Sequence, residues 1–292
     1  MNIKNFLKRN SYLFPLIIII LLIILIFCNL NCNPNDSFIN SNDKMIIHYI
    51  DVNQGDATLI QVNTKNILID SGPESSKKNL LAYLNSINLD KLDYVVATHP
   101  HEDHIGNMQH IIKEYDILSF YAPKITSNTK TFEEMIDSIK SKNLKINIIK
   151  EGTSSIDLGP NTSITVFSPS KYEYDNLNNY SPIIKIEYKN TSFLFTGDAE
   201  EEVENTVLQN NFPISSDVLK VGHHGSSTST STSFLSAVNP SISIISVGED
   251  NNYNHPSNET IKKLQQNKSI IYRTDIDGNI VLISNGNTIF KK

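Results

Sequence analysis

The stretch that decides the fold is VVATHPHEDHIGN, Val95 to Asn107. An apolar run ends there in His99, His101, Asp103 and His104, four ligand-type side chains within six residues. The whole chain of 292 residues holds only 8 histidines, so three in one short window need a cause. LDYVVAT reads as a buried strand leading into them. With the chain extended past Thr98, His99 and His101 project from one side, because side chains alternate along extended backbone. Asp103 and His104 follow where a helix begins. Two pairs of ligands then converge from a strand end and a helix start. Imidazole with carboxylate suits zinc, and also manganese or iron.

Working outward, the same design recurs. SFLFTGDAE is a strand running into Gly197-Asp198, where glycine lets the turn tighten and leaves the aspartate at the strand's carboxyl end. DVLKVGHHGSS is again a buried strand, a glycine, then His223 and His224. Asp51 in HYIDVNQGD and Asp70 in NILIDSG also end apolar strands. Several reactive groups at strand ends on one face form the geometry an active centre needs.

Around these motifs, β-branched runs alternate with amphipathic patterns. MIIHYIDV and ATLIQV, separated by NQGD, look like paired strands. NILID, KINIIK, SITVFS, IIKIEY, SFLFTG, DVLKVG, SISIISV and NIVLIS read as further strands. Helical spacing appears in SSKKNLLAYLNSI, MQHIIKEY, TFEEMIDSIKS, EEEVENTVLQN, TSFLSAV and NETIKKLQQN. No repeat of fixed period is present. This mix of hairpins and crossover helices predicts two sheets covered by helices in one domain over residues 44–292.

The first residues are different. Lys4, Lys8 and Arg9 precede YLFPLIIIILLIILIF, Tyr12 to Phe27, a charge-free run. A basic region followed by an apolar one reads as a membrane anchor or signal segment over residues 1–30. No small-x-small cleavage site comes after it. Phe27 before Cys28 and Asn31 before Cys32 do not suit lipidation, so an uncleaved helical anchor is the preferred reading and secretion the alternative. The basic flank places the chain beyond the apolar run outside the cytoplasm. Residues 31–43, NCNPNDSFINSND, read as a linker. Both cysteines lie in or beside this segment, so any metal in the domain is held by nitrogen and oxygen. The formal charge is −6 overall. Without Lys4, Lys8, Arg9 and Asp36 the remainder carries about −8, which gives no broad basic face.

Taken together, THPHEDHIG, FTGD and LKVGHHGS in this order resemble the metallo-β-lactamase fold superfamily. IDVNQGDA, ILIDSGP, LFTGDAE, LKVGHHGSSTST, NYNHP and YRTDIDGNI narrow the resemblance, over about residues 44–290, to the hydrolase domain of ComEC-type competence proteins. The resemblance implies an α/β fold, an αββα sandwich of two mixed sheets flanked by helices, with one or two divalent metal ions at one edge. Zinc is the first choice and manganese the alternative. By motif, His99 and His101 hold the first metal. Asp103, His104 and His223 hold the second, and Asp198 bridges them. Asp70 orients the histidine loop from behind. His224, Ser226 and His255 are second-layer or substrate-binding candidates, with capping the plainer role for Ser226 and Ser227. His48 reads as structural.

One feature departs from the common superfamily pattern. Many members carry a further histidine between the first motif and the bridging aspartate. The histidine in that interval here is His110, which lies in a helical pattern and reads as a surface or packed residue. In the matching region NNYSPIIKI, Asn179 or Ser181 stands instead.

These readings imply hydrolysis by a metal-activated water, with Asp103 orienting or deprotonating it. The ComEC resemblance favours DNA as substrate, with a small phosphoester, lactone or amide as the alternative. ComEC proteins also have a multi-helix channel, and this sequence shows at most one span, so a stand-alone extracytoplasmic hydrolase is expected rather than a DNA pore. The competing class is a membrane-tethered binding protein that keeps the fold without the chemistry, whose mark would be lost ligands.

Overall fold

A computed structural model describes residues 43–292. The leader, with the apolar helix expected there, and almost all of the linker lie outside the described residues. Among the described residues no helix is long and apolar enough to cross a membrane.

The chain opens with strands β1 (Met45–Tyr49), β2 (Thr58–Val62) and β3 (Lys65–Ile69), followed by helix α1 (Lys77–Ser86) and β4 (Lys91–Val96). Short helix α2 (Glu102–Ile105), α3 (Met108–Glu114), β5 (Asp116–Ala122), α4 (Lys130–Ser141) and β6 (Ile146–Ile148) complete the first half. The second half runs β7 (Thr162–Val166), β8 (Ile184–Tyr188), β9 (Thr191–Phe195), α5 (Glu201–Gln209), β10 (Val218–Lys220) and α6 (Thr232–Val238). Then come β11 (Ile242–Ile245), α7 (Asn258–Gln266), β12 (Ile270–Arg273), α8 (Thr274–Asp277), β13 (Ile280–Ser284) and β14 (Ile289–Lys291).

Two sheets result. One has the order β14-β13-β1-β2-β3-β4-β5-β6 and the other β12-β11-β10-β9-β8-β7. In each, hairpin-linked antiparallel strands pass into a parallel run. β3 to β6 are parallel in the first sheet, and β9 to β12 in the second. Parallel neighbours need crossovers, and the helices supply them.

Alternation along the strands builds the layers. Ile67 and Ile69 of β3 join Phe193 and Phe195 of β9 in a core between the sheets. Leu68, between the first pair, packs instead with Leu80 and Leu84 of α1 and Ile111 of α3. Leu194, between the second pair, packs with Val203 of α5, Phe234 of α6 and Leu264 of α7. The two mixed sheets therefore face each other and carry helices on their outer sides. Some helix starts are secured locally: the Oγ atoms of Ser231 and Ser257 accept from Phe234 N and Thr260 N. Ser231, rather than Ser226 or Ser227, is thus the cap of α6.

The sequence pattern predicted neither β5, β12 and β14 nor α8. In β5 the first residues alternate between exposed and half-buried, and Leu118 is 68% exposed, so apolar residues there do not mark the core face. Left-handed turns are frequent, and many fall on asparagine: Asn53, Asn63, Asn88, Asn143, Asn161, Asn211, Asn239 and Asn254 all have positive φ.

His48 has the structural role expected of it. Its Nε2 donates to Gln61 Oε1 at 3.1 Å, which leaves Nδ1 to accept from the Tyr83 hydroxyl at 2.8 Å. Burial lowers its pKa from 6.5 to about 4. Between those values the unfolded chain binds the extra proton and the fold does not, so stability falls as pH drops through this window. The drop attributable to His48 is on the order of 3 kcal/mol. Denaturant titrations from pH 7 to pH 4 should show a flatter pH slope for His48→Gln than for the unsubstituted protein.

Candidate metal centre

Both sheets deliver their loops to one edge. β3 ends just before Asp70, β4 ends two residues before Thr98 and His99 follows, β9 ends before Asp198, and β10 ends just before His223 and His224. The polar groups predicted from the sequence meet there, across the two halves of the domain.

The centre is built from behind. Asp70 is buried, with Oδ1 accepting from Thr98 N at 2.8 Å. Its Oδ2 accepts from Thr98 Oγ1 at 2.7 Å and from His104 Nδ1 at 2.8 Å. One carboxylate thus fixes both the end of β4 and the ring of His104, whose Nε2 is left facing the centre. His99 is held in the same manner: its Nδ1 lies 3.1 Å from Thr98 Oγ1 and 3.2 Å from Ser181 Oγ. Thr98 Oγ1 spends its own proton on Asp70, so His99 Nδ1 donates and Nε2 is free. That Nε2 lies 2.9 Å from Nδ1 of His101. That is hydrogen-bond distance, a few tenths of an ångström short of the roughly 3.3 Å between two nitrogens on one tetrahedral ion, and among the described residues His101 falls in none of the groups able to hold an ion.

The second group is tighter. His104 Nε2 lies 3.2 Å from Asp198 Oδ2, and His224 Nε2 lies 3.2 Å from Asp103 Oδ2 and 3.6 Å from Asp198 Oδ2. His224 is oriented by Ser246, whose carbonyl lies 3.0 Å from its Nδ1. Among the described residues, groups able to hold an ion are His99, His104 and Asp198, and Asp103, His104 and His224. Asp56 forms two more, with Asp198 and His224 and with Asp70 and His104.

The chemistry of these donors fits a cation. His104 Nε2, His224 Nε2 and Asp198 Oδ1 are buried without a hydrogen-bond partner, a costly state that a metal ion relieves. Burial pushes His104 down, but Asp198, Asp70 and Asp103 outweigh it and hold it well above the ordinary histidine range. Burial likewise pushes Asp103 and Asp198 up. The neighbouring His104 and His224 overcome this and hold both carboxyls well below their usual range. The cluster favours positive charge at its centre.

The tandem histidines occupy different surroundings. His223 and His224 have φ of 49° and 52°, two successive left-handed residues that send their rings apart. His224 is buried and joins the ligand group. His223 stands at the cleft wall, with Nδ1 3.3 Å from Glu200 Oε1 and Nε2 3.7 Å from Asp198 Oδ2. Among the described residues His224, and not His223, falls within the groups able to hold an ion, while both rings approach Asp198 Oδ2. Glu200, which the sequence reading passed over, is held by Asn176 Nδ2 at 2.8 Å, Asn178 Nδ2 at 3.1 Å and Thr228 Oγ1 at 3.0 Å.

The remaining candidates separate. Ser181 Oγ accepts from Asp198 N at 3.1 Å and meets His99 Nδ1, so it braces two ligands from behind. Asn179 accepts from Glu200 N and donates to Glu202. Ser226 Oγ is engaged with Thr228 in a local turn. Asp51 caps its own loop through Asn53 N, away from the ligands. His110 belongs to none of the ligand groups. His255 lies beside His223, ring centroids 5.5 Å apart, and lines a cleft of about 310 Å³ with His101, Asp103, Asp198, His223 and His224. Asp56 and Lys220 were missed as well. Both lie within the motifs IDVNQGDA and LKVGHHGS, and Asp56 comes directly after a Gly that packs on the carbonyl of Asp103.

The fold and this edge-on cluster of histidine and aspartate define a metallo-hydrolase architecture. The model of the Metallo-beta-lactamase superfamily matches residues 50–249, and the chain belongs to that family. It is 30% identical over 253 residues to ComE operon protein 3 of Bacillus subtilis, covering 80% of this chain and 32% of that protein. It is also 30% identical over 236 residues to Recombination protein 2 of Haemophilus influenzae, covering 79% of this chain and 28% of that one. The chain thus spans about a third of the length of the curated relatives it matches, and within the superfamily it is ComEC-like. Among solved structures, the metallo-beta-lactamase fold protein YhfI from Bacillus subtilis superposes with a TM-score of 0.55 at 12% identity, covering 85% of this chain and all of that one.

Two substitutions check the assignment of the tandem histidines. Zinc titration by calorimetry should show His224→Ala weakening the tighter site by more than the roughly 100-fold that loss of an outer partner costs at most, while His223→Ala keeps zinc affinity within a few-fold.

Proposed function

We propose that the chain is a metal-dependent nuclease of the ComEC type, cleaving phosphodiester bonds with a water activated at the metal centre. One observation carries the reading: Asp103, Asp198 and His224 line a cleft that solvent reaches, and His104, Asp198 and His224 keep unpartnered ligand atoms beside it. The similarity to competence and recombination proteins supports nucleic acid as the substrate.

His99, His101 and Asp198 would hold one ion, and Asp103, His104, Asp198 and His224 a second. Zinc is the ion assigned, with manganese as the alternative. A bound divalent ion supplies Lewis acidity, which makes hydroxide available near neutral pH and offsets charge on a phosphate. The chain's own groups do the positioning. Asp103, kept ionised beside His224, accepts a hydrogen bond from a water in the cleft and orients it. His223 and His255 form the cleft wall and offer ring nitrogens to a substrate oxygen. The domain's negative charge means that attraction for a polyanion is local, confined to the bound ions. The charge-free run from Tyr12 to Phe27 behind a basic flank supports a membrane-anchored, extracytoplasmic placement.

Purified protein supplied with zinc or manganese should cleave single-stranded DNA and bis-p-nitrophenyl phosphate. His101→Ala and Asp103→Ala should each reduce the rate by at least a thousandfold. Cleavage that survives both substitutions sinks the mechanism. Turnover of a lactone with none of DNA moves the substrate to small esters, and a protein without metal or turnover is a binding protein instead.

A further inference from the structure

Reading the edge cluster as a metal centre leaves one buried pair without a task. Asp56 and Lys220 face each other between the sheets, with side chains 6% and 3% exposed. Lys220 Nζ lies 2.9 Å from each carboxylate oxygen of Asp56 and 3.1 Å from Val221 O. The pair joins the two halves of the site. Asp56, in the loop before β2, donates its N–H to Asp103 O at 3.0 Å and accepts from Gly72 N at 2.7 Å. It is therefore tied to the ligand-bearing helix start and to the turn after Asp70. Lys220 ends β10, just ahead of His223 and His224.

A buried ion pair is seldom the most stable way to fill a core, since well-packed apolar residues of the same volume serve as well or better. Retaining one here has a local reason. The Asp56 carboxylate reaches within 4.8 Å of ligand atoms on Asp198 and His224, and on Asp70 and His104. Its Oδ1 is 3.8 Å from His224 Nδ1. Left free, it would compete for an ion or pull His224 from Ser246. The cleft lining includes neither Asp56 nor Lys220, so neither meets substrate.

We propose that the Asp56–Lys220 ion pair is the positioning device of the metal centre. It sets the half carrying His99 to His104 in register with the half carrying Asp198 and His224, and keeps Asp56 out of the ligand set. The proposal rests on the metal-centre reading but not on the nature of the substrate, so its test reads metal binding rather than cleavage.

Asp56→Asn, Lys220→Met and the double variant are compared with the unsubstituted chain by zinc competition titration, by the visible absorption of the cobalt-loaded protein and by thermal melting. Each single variant leaves one buried charge unmatched. Each should bind zinc at least a hundredfold more weakly, with an altered cobalt spectrum. The double variant, neutral at both positions, should recover melting temperature yet still bind about tenfold more weakly than the unsubstituted chain. Because the single variants are the ones prone to misfold, the double variant decides. A folded double variant with unchanged zinc affinity and cobalt spectrum overturns the proposal, as does a double variant that binds no better than folded single variants. If the unsubstituted chain binds zinc but cleaves no DNA, only the nuclease reading falls.

Discussion

Asp198 Oδ2 lies 3.2 Å from His104 Nε2, both side chains buried, and in that contact the loops of the two sheets meet. Everything else at this edge is arranged so that these atoms arrive together. His104 is aimed by Asp70, Asp198 is braced by Ser181, and each of those residues sits at or beside a strand end. Unlike charges at this depth attract strongly, while an unmatched one is costly. The edge is therefore an electrostatic closure: acidic groups from both halves share a few imidazoles, and the sandwich must close in register for the sum to balance.

The chemistry of the site depends on the division. Neither sheet by itself gathers the ligands needed for a closed coordination sphere. His99 and His101 come from one side, Asp198 and His224 from the other, and the cleft opens along the seam. The cleft along the seam is lined by His101, Asp103, Asp198 and His224 together with His223 and His255. Because the domain is acidic overall, the nuclease reading proposed above requires that selectivity for an anion come from this seam rather than from the surface field.

Much of this was legible in the chain. The strand before His99, the glycine before Asp198 and the apolar run before Gly222 each announce a strand end, and strand ends in parallel sheets are where ligands gather. Less legible was which neighbour of a pair turns inward. Period-two alternation holds only for extended backbone, and the left-handed conformation of His223 and His224 breaks it, so the motif does not tell which ring is buried and which lines the cleft. Asp56 was hidden for another reason: it sits in a loop, and its importance comes from Lys220, 164 positions away, a contact no local pattern reveals. Strands such as β5 escaped because their exposed half carries apolar residues that keep to no face.

The left-handed asparagines have a consequence for the unfolded chain. Turns of this geometry are commonly spelled with glycine, which roams widely when unfolded and loses most on ordering. Asparagine tolerates the same backbone while a side chain narrows what the free chain can visit. With 11 glycines in 292 residues, this protein delegates much of its turn-making to asparagine. Each such turn starts from a smaller ensemble, so the reversals that bring distant strand ends to one seam surrender less disorder as they form.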